Sequence, residues 1–267
     1  MKNKILFSFA IGLIVIGLIV IWGKDVNAIK QSENDLPLTL KVTSEKQNYV
    51  LGEVVKLNFE LINEGEKVVK IPFRPDVYTG YLGVWIAFDG QEFNQYKNTS
   101  WGRMEQSGPI LQPGQSFISQ ANFLWNSKPK TLNLNPDVGK GRIMNDYAFP
   151  KVGVYFIKAM ATVPGNTPMK IESKPIQIVI NEPIGNDLEV WNLIKDNGDF
   201  AYFIQQGGTP TYQDEKAEKL LEEIEQIAQN YPNSVLGGQM KQKLEKFRID
   251  EEKRRKSLEK AIIKPKN

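Results

Sequence analysis

The chain has 267 residues, 41% hydrophobic and 24% charged, the balance of an ordinary globular protein with material for one large domain or two modest ones. It contains no cysteine and no histidine. That excludes thiol nucleophiles, Ser-His and Cys-His pairs, histidine zinc sites and imidazole acid-base catalysis near neutral pH. The net charge of +3 is unevenly spread: residues 239–267 are strongly basic, and the body before them is mildly acidic.

Lys2 and Lys4 precede an uncharged run, residues 5–22, with Ile5 and Trp22 at its ends. As a helix these residues would span about 27 Å at ~1.5 Å per residue, most of a bilayer. Val26-Asn27-Ala28 follows with small residues at positions a signal peptidase reads, so residues 1–28 are expected to be either a cleaved signal peptide or a retained membrane anchor. Both alternatives place the remainder outside the cytoplasm, because basic residues precede the run and an acidic body follows it. Residues 29–37 are polar and acidic, the composition of a linker.

From residue 38 the period is two. Leu38, Leu40 and Val42 alternate with polar residues, 47–53 is a connection, and Val55, Leu57, Phe59 and Leu61 make a half-buried strand. Asn63-Glu64-Gly65 supplies a turn, and Val69, Ile71 and Phe73 are expected to resume the alternation beyond it. Further strands are expected over 81–88, closed by Asp89-Gly90; over 116–125, introduced by Leu111-Gln112-Pro113-Gly114; over 152–159; and over 175–181. Residues 126–148 read as a long loop. Trp85, inside a strand, is expected in the core.

Leu51-Gly52-Glu53, Asn63-Glu64-Gly65, Leu111-x-Pro113-Gly114 and Gly153-Val154-Tyr155-x-Ile157-x-Ala159 together resemble the immunoglobulin-like β-sandwich modules of bacterial extracytoplasmic proteins. The order of Leu111-x-Pro113-Gly114, then Trp125, then Gly153-x-Tyr155 is similar to modules of the intracellular proteinase inhibitor type. The resemblance spans about residues 38–181 and implies that Tyr155 forms a tyrosine corner on the penultimate strand. It implies a fold and no activity. The 94–108 and 126–148 stretches depart from a minimal module, so no inhibitory loop carries over.

After Pro183 the period lengthens to that of helices. Leu188, Trp191, Leu193 and Ile194 form a short stripe that Asn197-Gly198 is expected to stop. Residues 207–210 read as a loop. Ala217, Leu220, Leu221, Ile224, Ile227, Ala228 and Tyr231 mark the clearest helix, ended by Pro232, with Asn233 or Ser234 to cap the next. Tyr231-Pro232-Asn233-Ser234 resembles the turn of tetratricopeptide-type repeats. A single such turn fits a small helical hairpin packed on the sandwich better than a solenoid.

The fold class expected is therefore an all-β immunoglobulin-like sandwich over residues 38–182 followed by a helical domain over 183–267. Candidate chemistry is sparse. Ser127-x-x-Lys130 and Ser257-x-x-Lys260 match S-x-x-K without its partner motifs, and Gly139-Lys140-Gly141-Arg142 lacks phosphate-loop spacing. Asp76, Asp89 and Glu92 near strand ends are surface acids unless two converge across a cleft. Asn98-Thr99-Ser100 fits a glycosylation sequon.

The candidate partner-binding residues are Trp101 and Arg103, on a loop, and the basic run Lys253, Arg254, Arg255 and Lys256. That run reads equally as the solvated face of a helix laced with Glu-Lys pairs. The function expected is non-enzymatic binding or scaffolding at the cell envelope. A protein or envelope polymer is the expected partner, with the membrane itself if Ile5 to Trp22 is retained. No nucleic acid, cofactor or metal is expected. A carboxylate-dependent glycan hydrolase and a proteinase inhibitor acting through a loop are the alternatives.

Overall fold

A computed structural model describes residues 37–96, 107–126, 147–164, 168–208 and 214–263. Alternation is realised throughout the β region. Strand β1 (Leu38–Ser44) pairs antiparallel with β3 (Val55–Asn63), which pairs with β8 (Ser116–Phe123). In β3 every odd residue from Val55 to Asn63 is buried and every even one half-exposed. The facing sheet has the order β2 (Asn48–Val50), β11 (Ile176–Asn181), β9 (Gly153–Val163), β5 (Leu82–Phe88) and β6 (Asn94–Gln95). Strand β10 (Met169–Glu172) also pairs with β9. Leu57, Phe59, Phe123, Tyr155, Ile157 and Ile178 fill the space between the sheets, with the Phe59 and Phe123 rings edge-on at 6.2 Å.

The first two strands are divided between the sheets. β1 joins one, and after residues 45–47 β2 crosses to run parallel to β11 in the other. Tyr155 makes the expected corner: its hydroxyl donates to the Lys151 carbonyl at 2.8 Å and accepts from the Lys151 N–H at 3.0 Å. Topology and corner together are those of an immunoglobulin-like β-sandwich.

Three expectations are corrected. Residues 47–53 are not only a connection, since β2 lies within them. Beyond the Asn63-Glu64-Gly65 turn the expected alternation resumes, with Val69 and Ile71 buried between exposed neighbours, but not as a hairpin with β3: β4 (Val69–Lys70) pairs with β7 (Ile110–Leu111) in a separate two-stranded ribbon. Pro72 and Pro75 remove ladder donors there. The buried Asn63 side chain organises the alternative, donating to the carbonyls of Lys67 (2.8 Å) and Leu111 (3.0 Å) and accepting from Gly65 N–H (3.0 Å).

The third concerns Asn197. It follows α1 (Asn186–Ile194), yet its side chain accepts from the Asp199 N–H at 3.0 Å and so starts a second helix, α2 (Gly198–Gln206), that the sequence reading leaves out. Gly207, at φ 78°, ends α2.

Helices α3 (Asp214–Asn230) and α4 (Val235–Ile263) pack as a hairpin through Leu220, Ile224, Ile227, Met240 and Leu244. Of the two caps the sequence offers for α4, Asn233 and Ser234, it is Ser234 that accepts from the Gly237 N–H at 2.8 Å. From Pro37 onward sandwich and helices form one compact unit. Among the described residues no helix is long and apolar enough to cross a membrane, and residues 5–22 lie outside them.

Candidate functional site

The helices dock on one end of the sandwich through side chains that pair with strand backbone. Gln205 is buried on α2, where its Oε1 accepts from the N–H groups of Leu124 (2.7 Å) and Trp125 (2.6 Å). The Tyr96 hydroxyl reaches the same oxygen at 3.3 Å and donates to the Trp125 carbonyl at 2.5 Å. Burial pushes the Tyr96 phenol well above its usual range. On α4, Gln239 accepts from Val54 N–H at 3.1 Å and donates to the Gly52 carbonyl at 3.0 Å, so its amide stands in for a neighbouring strand. The Trp191 indole covers Gly52, where a Cβ would lie 2.6 Å from it. This end of the sandwich is a structural seam in which Gln205, Tyr96 and Gln239 are spent on backbone partners.

Lys243 belongs to the same seam. Its ammonium donates to the Gln205 carbonyl at 3.2 Å near the C-terminus of α2. Burial, with Lys246 and Lys56 nearby, brings its pKa down to about 8.

Two of the acids singled out in the sequence, Asp76 and Asp89, sit in turns. Asp76 accepts from Thr79 N–H at 2.8 Å and pairs with Arg74 at 2.9 Å, which fixes a turn. Asp89, at φ 48°, sits with Gly90 in the hairpin turn that the sequence predicts. Among the described residues no group of three or more acids, histidines or cysteines gathers to hold a metal ion.

The basic run lies on the outer half of α4 and is exposed. Each member faces an acid of its own helix: Lys253 with Asp250 (3.7 Å), Arg254 with Glu251 (2.9 Å), Arg255 with Glu259 (3.9 Å) and Lys256 with Glu252 (2.7 Å). The Lys256 hydrogen bond holds the Glu252 carboxyl below its ordinary range. Trp101, Arg103, the sequon, Ser127 to Lys130 and Gly139 to Arg142 lie outside the described residues.

The outer face of the six-stranded sheet, which the sequence reading did not single out, offers a different kind of surface. In β5, Leu82, Val84 and Ile86 pair with Ala161, Ala159 and Ile157 on the inner face. Parity then places Trp85 outside, beside Lys158 of β9 and Gln95 of β6, and it is half-buried rather than in the core.

The Trp85 indole does not stand off the sheet. It reclines along its own strand over Gly83, where a Cβ would come within 2.7 Å of two carbons of its six-membered ring. Phe93 and Phe156 are half-exposed. The Lys158 ammonium lies 4.7 Å from the Phe93 ring centre and 2.7 Å from Glu172 Oε1, so one cation bridges the aromatic patch to an acid on β10. Gln177 opposite Phe156, and Gln95 beside Trp85, are exposed amides at its borders.

No family model matches the chain, and no curated protein does. Among solved structures it is similar to the CARDB domain of a Pyrococcus furiosus protein, at 14% identity over 54% of this chain and 94% of that one, TM-score 0.27. It is also similar to the sporulation control protein Spo0M of Bacillus subtilis, at 15% identity over 59% of this chain and 56% of that one, TM-score 0.27. A β-glucosidase of Erythrobacter marinus matches at 13% identity, TM-score 0.25, with 51% of this chain covering 15% of the enzyme. Likenesses this distant say nothing of function. The class the strands themselves define is an immunoglobulin-like sandwich with a helical annex sealed to one end.

Proposed function

We propose that the protein is a non-enzymatic binding or scaffolding module that works outside the cytoplasm at the cell envelope. It engages its partner through the outer face of the six-stranded sheet. The observation that carries this reading is Trp85 lying half-exposed over Gly83 among Phe93, Phe156 and the Lys158–Glu172 pair. Large aromatics gathered on one surface are the composition of a binding patch. The location rests on Lys2 and Lys4 ahead of the apolar run, the acidic body after it, and the basic-before, acidic-after rule. Lys253 to Lys256 serve as a secondary contact for acidic envelope polymer, weakened by the acids already beside them.

The test places a photo-cross-linking side chain at Gln177, on this face, and separately at Thr43, exposed on the other sheet, in the full chain expressed in cells. An adduct from position 177 and none from 43 supports the reading. No adduct, or equal adducts, overturns the assignment of the face. Turnover of an envelope polymer abolished by a single carboxylate substitution overturns the non-enzymatic part.

A further inference from the structure

Which ligand suits that face follows from how its groups are already committed, and the argument rests on the binding-face reading above. We infer that the face binds an uncharged glycan, with one pyranose ring stacked on Trp85 beside Gln95 and the Lys158–Glu172 pair and a further sugar of the same chain reaching Gln177, two strands away on β11.

The posture of Trp85 is the first ground. A strand side chain ordinarily stands away from the sheet. Here Gly83, two residues earlier on the same strand, leaves room for the indole to lie down, so that the residue offers a broad apolar surface rather than a plug for a pocket. A reclined indole beside polar side chains suits a ligand that is apolar on one face and hydroxylated around its rim. That description fits a sugar ring.

Charge is the second ground. Lys158 is tied on both sides, to Glu172 at 2.7 Å and over the Phe93 ring at 4.7 Å, and no net charge is left at the centre of the patch. An acidic ligand would have to break that pair. A hydroxyl accepts from the ammonium and donates to the carboxylate with the pair intact. The bordering amides of Gln95 and Gln177 likewise each offer donor and acceptor to a neutral partner. Lys170, opposite Thr162, lies farther along the sheet toward its end.

The test titrates the purified full chain with two soluble probes, the tetrasaccharides of β-1,4-linked glucose and of β-1,4-linked N-acetylglucosamine. Binding is read by tryptophan fluorescence and calorimetry. Binding of at least one probe is expected, weakened tenfold or more by Trp85→Ala and retained in part by Trp85→Phe. Gly83→Val keeps the tryptophan but displaces it, and is expected to weaken binding as Trp85→Ala does; a melting temperature within a few degrees of the parent certifies each variant as folded.

Absence of binding to both probes, or equal binding by folded Trp85→Ala, overturns the glycan assignment. The cross-link at position 177 then separates the two ideas. An adduct that proves to be a protein, including a second copy of this chain, leaves the binding face standing and removes the glycan; no adduct removes both.

Discussion

The side-chain oxygen of Gln205 accepts the backbone N–H of Trp125 at 2.6 Å, which joins the second helix to the end of the sandwich inside a buried seam. The same oxygen serves Leu124, so one glutamine satisfies two strand-end donors that would otherwise be shut away from water.

Gln205→Leu leaves both N–H groups buried and unpaired, and each such group costs about 1–3 kcal/mol. A loss of about 2–5 kcal/mol is expected in urea unfolding. The parent should show a single transition by both far-ultraviolet circular dichroism and tryptophan fluorescence; separate transitions would show that helices and sandwich unfold independently.

Gly52 has φ +92° beneath the Trp191 indole. Gly52→Ala therefore combines a disfavoured backbone with a side-chain collision, and is expected to destabilise by about 2–4 kcal/mol. Gly114→Ala is the control, with φ +74° and open space around it, and should cost only the backbone part. Equal losses at the two positions would deny the packing role of Trp191.

Tyr155→Phe removes a hydroxyl that both donates to and accepts from Lys151. The expected cost is about 1–2 kcal/mol, with the fold retained. Hydrogen exchange of the Lys151 amide should accelerate more than that of the β9 amides. Uniform acceleration would mean that the corner is not a local tie.

Stability should depend on pH through Lys243. Its pKa is lowered to about 8 in the folded chain. Between there and the ordinary lysine value the unfolded chain holds the proton that the folded chain has released. Stability therefore rises with pH from about 8 toward about 10. Beyond that Tyr96 and Tyr147, raised by burial, reverse the slope, because they stay protonated in the folded chain after the unfolded chain has ionised. Lys243→Met should flatten the rise and leave the alkaline fall. A parent profile that is flat across pH 8 to 10 refutes the assignment.

The intrahelical pairs of outer α4 are exposed, so 1 M NaCl should speed amide exchange over residues 249–259 while leaving β3 and β9 unchanged. Insensitivity to salt would show that helix propensity alone holds this stretch.

Much of the sandwich was legible because a half-buried strand writes its parity into the chain, as in Val55, Leu57, Phe59 and Leu61. The cap of α4 was legible to within two neighbouring residues, Asn233 and Ser234, and the Tyr155 corner came from the resemblance to immunoglobulin-like modules. The short edge pairings of β2 and β10 carry too few residues to set a period. Helix α2 hides because Asn197-Gly198 reads as an ending when it is also a beginning.

The outward aromatic face was available by parity, with Leu82, Val84 and Ile86 claiming the inside and pushing Trp85 out, but a tryptophan's usual burial argued the other way. The seam was not available at all. Nothing about Gln205 or Gln239 in the sequence tells which distant backbone groups each will satisfy.

The parallel run of β2 beside β11 also has a mechanical meaning. Asn48, Tyr49 and Val50 align with Val179, Ile180 and Asn181, and flanking bonds from Leu51 to Asn181 and from Val179 to Gln47 extend the register. Tension drawn between the β1 side of the chain and the strand that leads into the helices slides these two strands along each other. The cross-strand bonds then share the load instead of opening one after another. A pull applied between those two points would be resisted as a clasp resists, up to a threshold and then all at once.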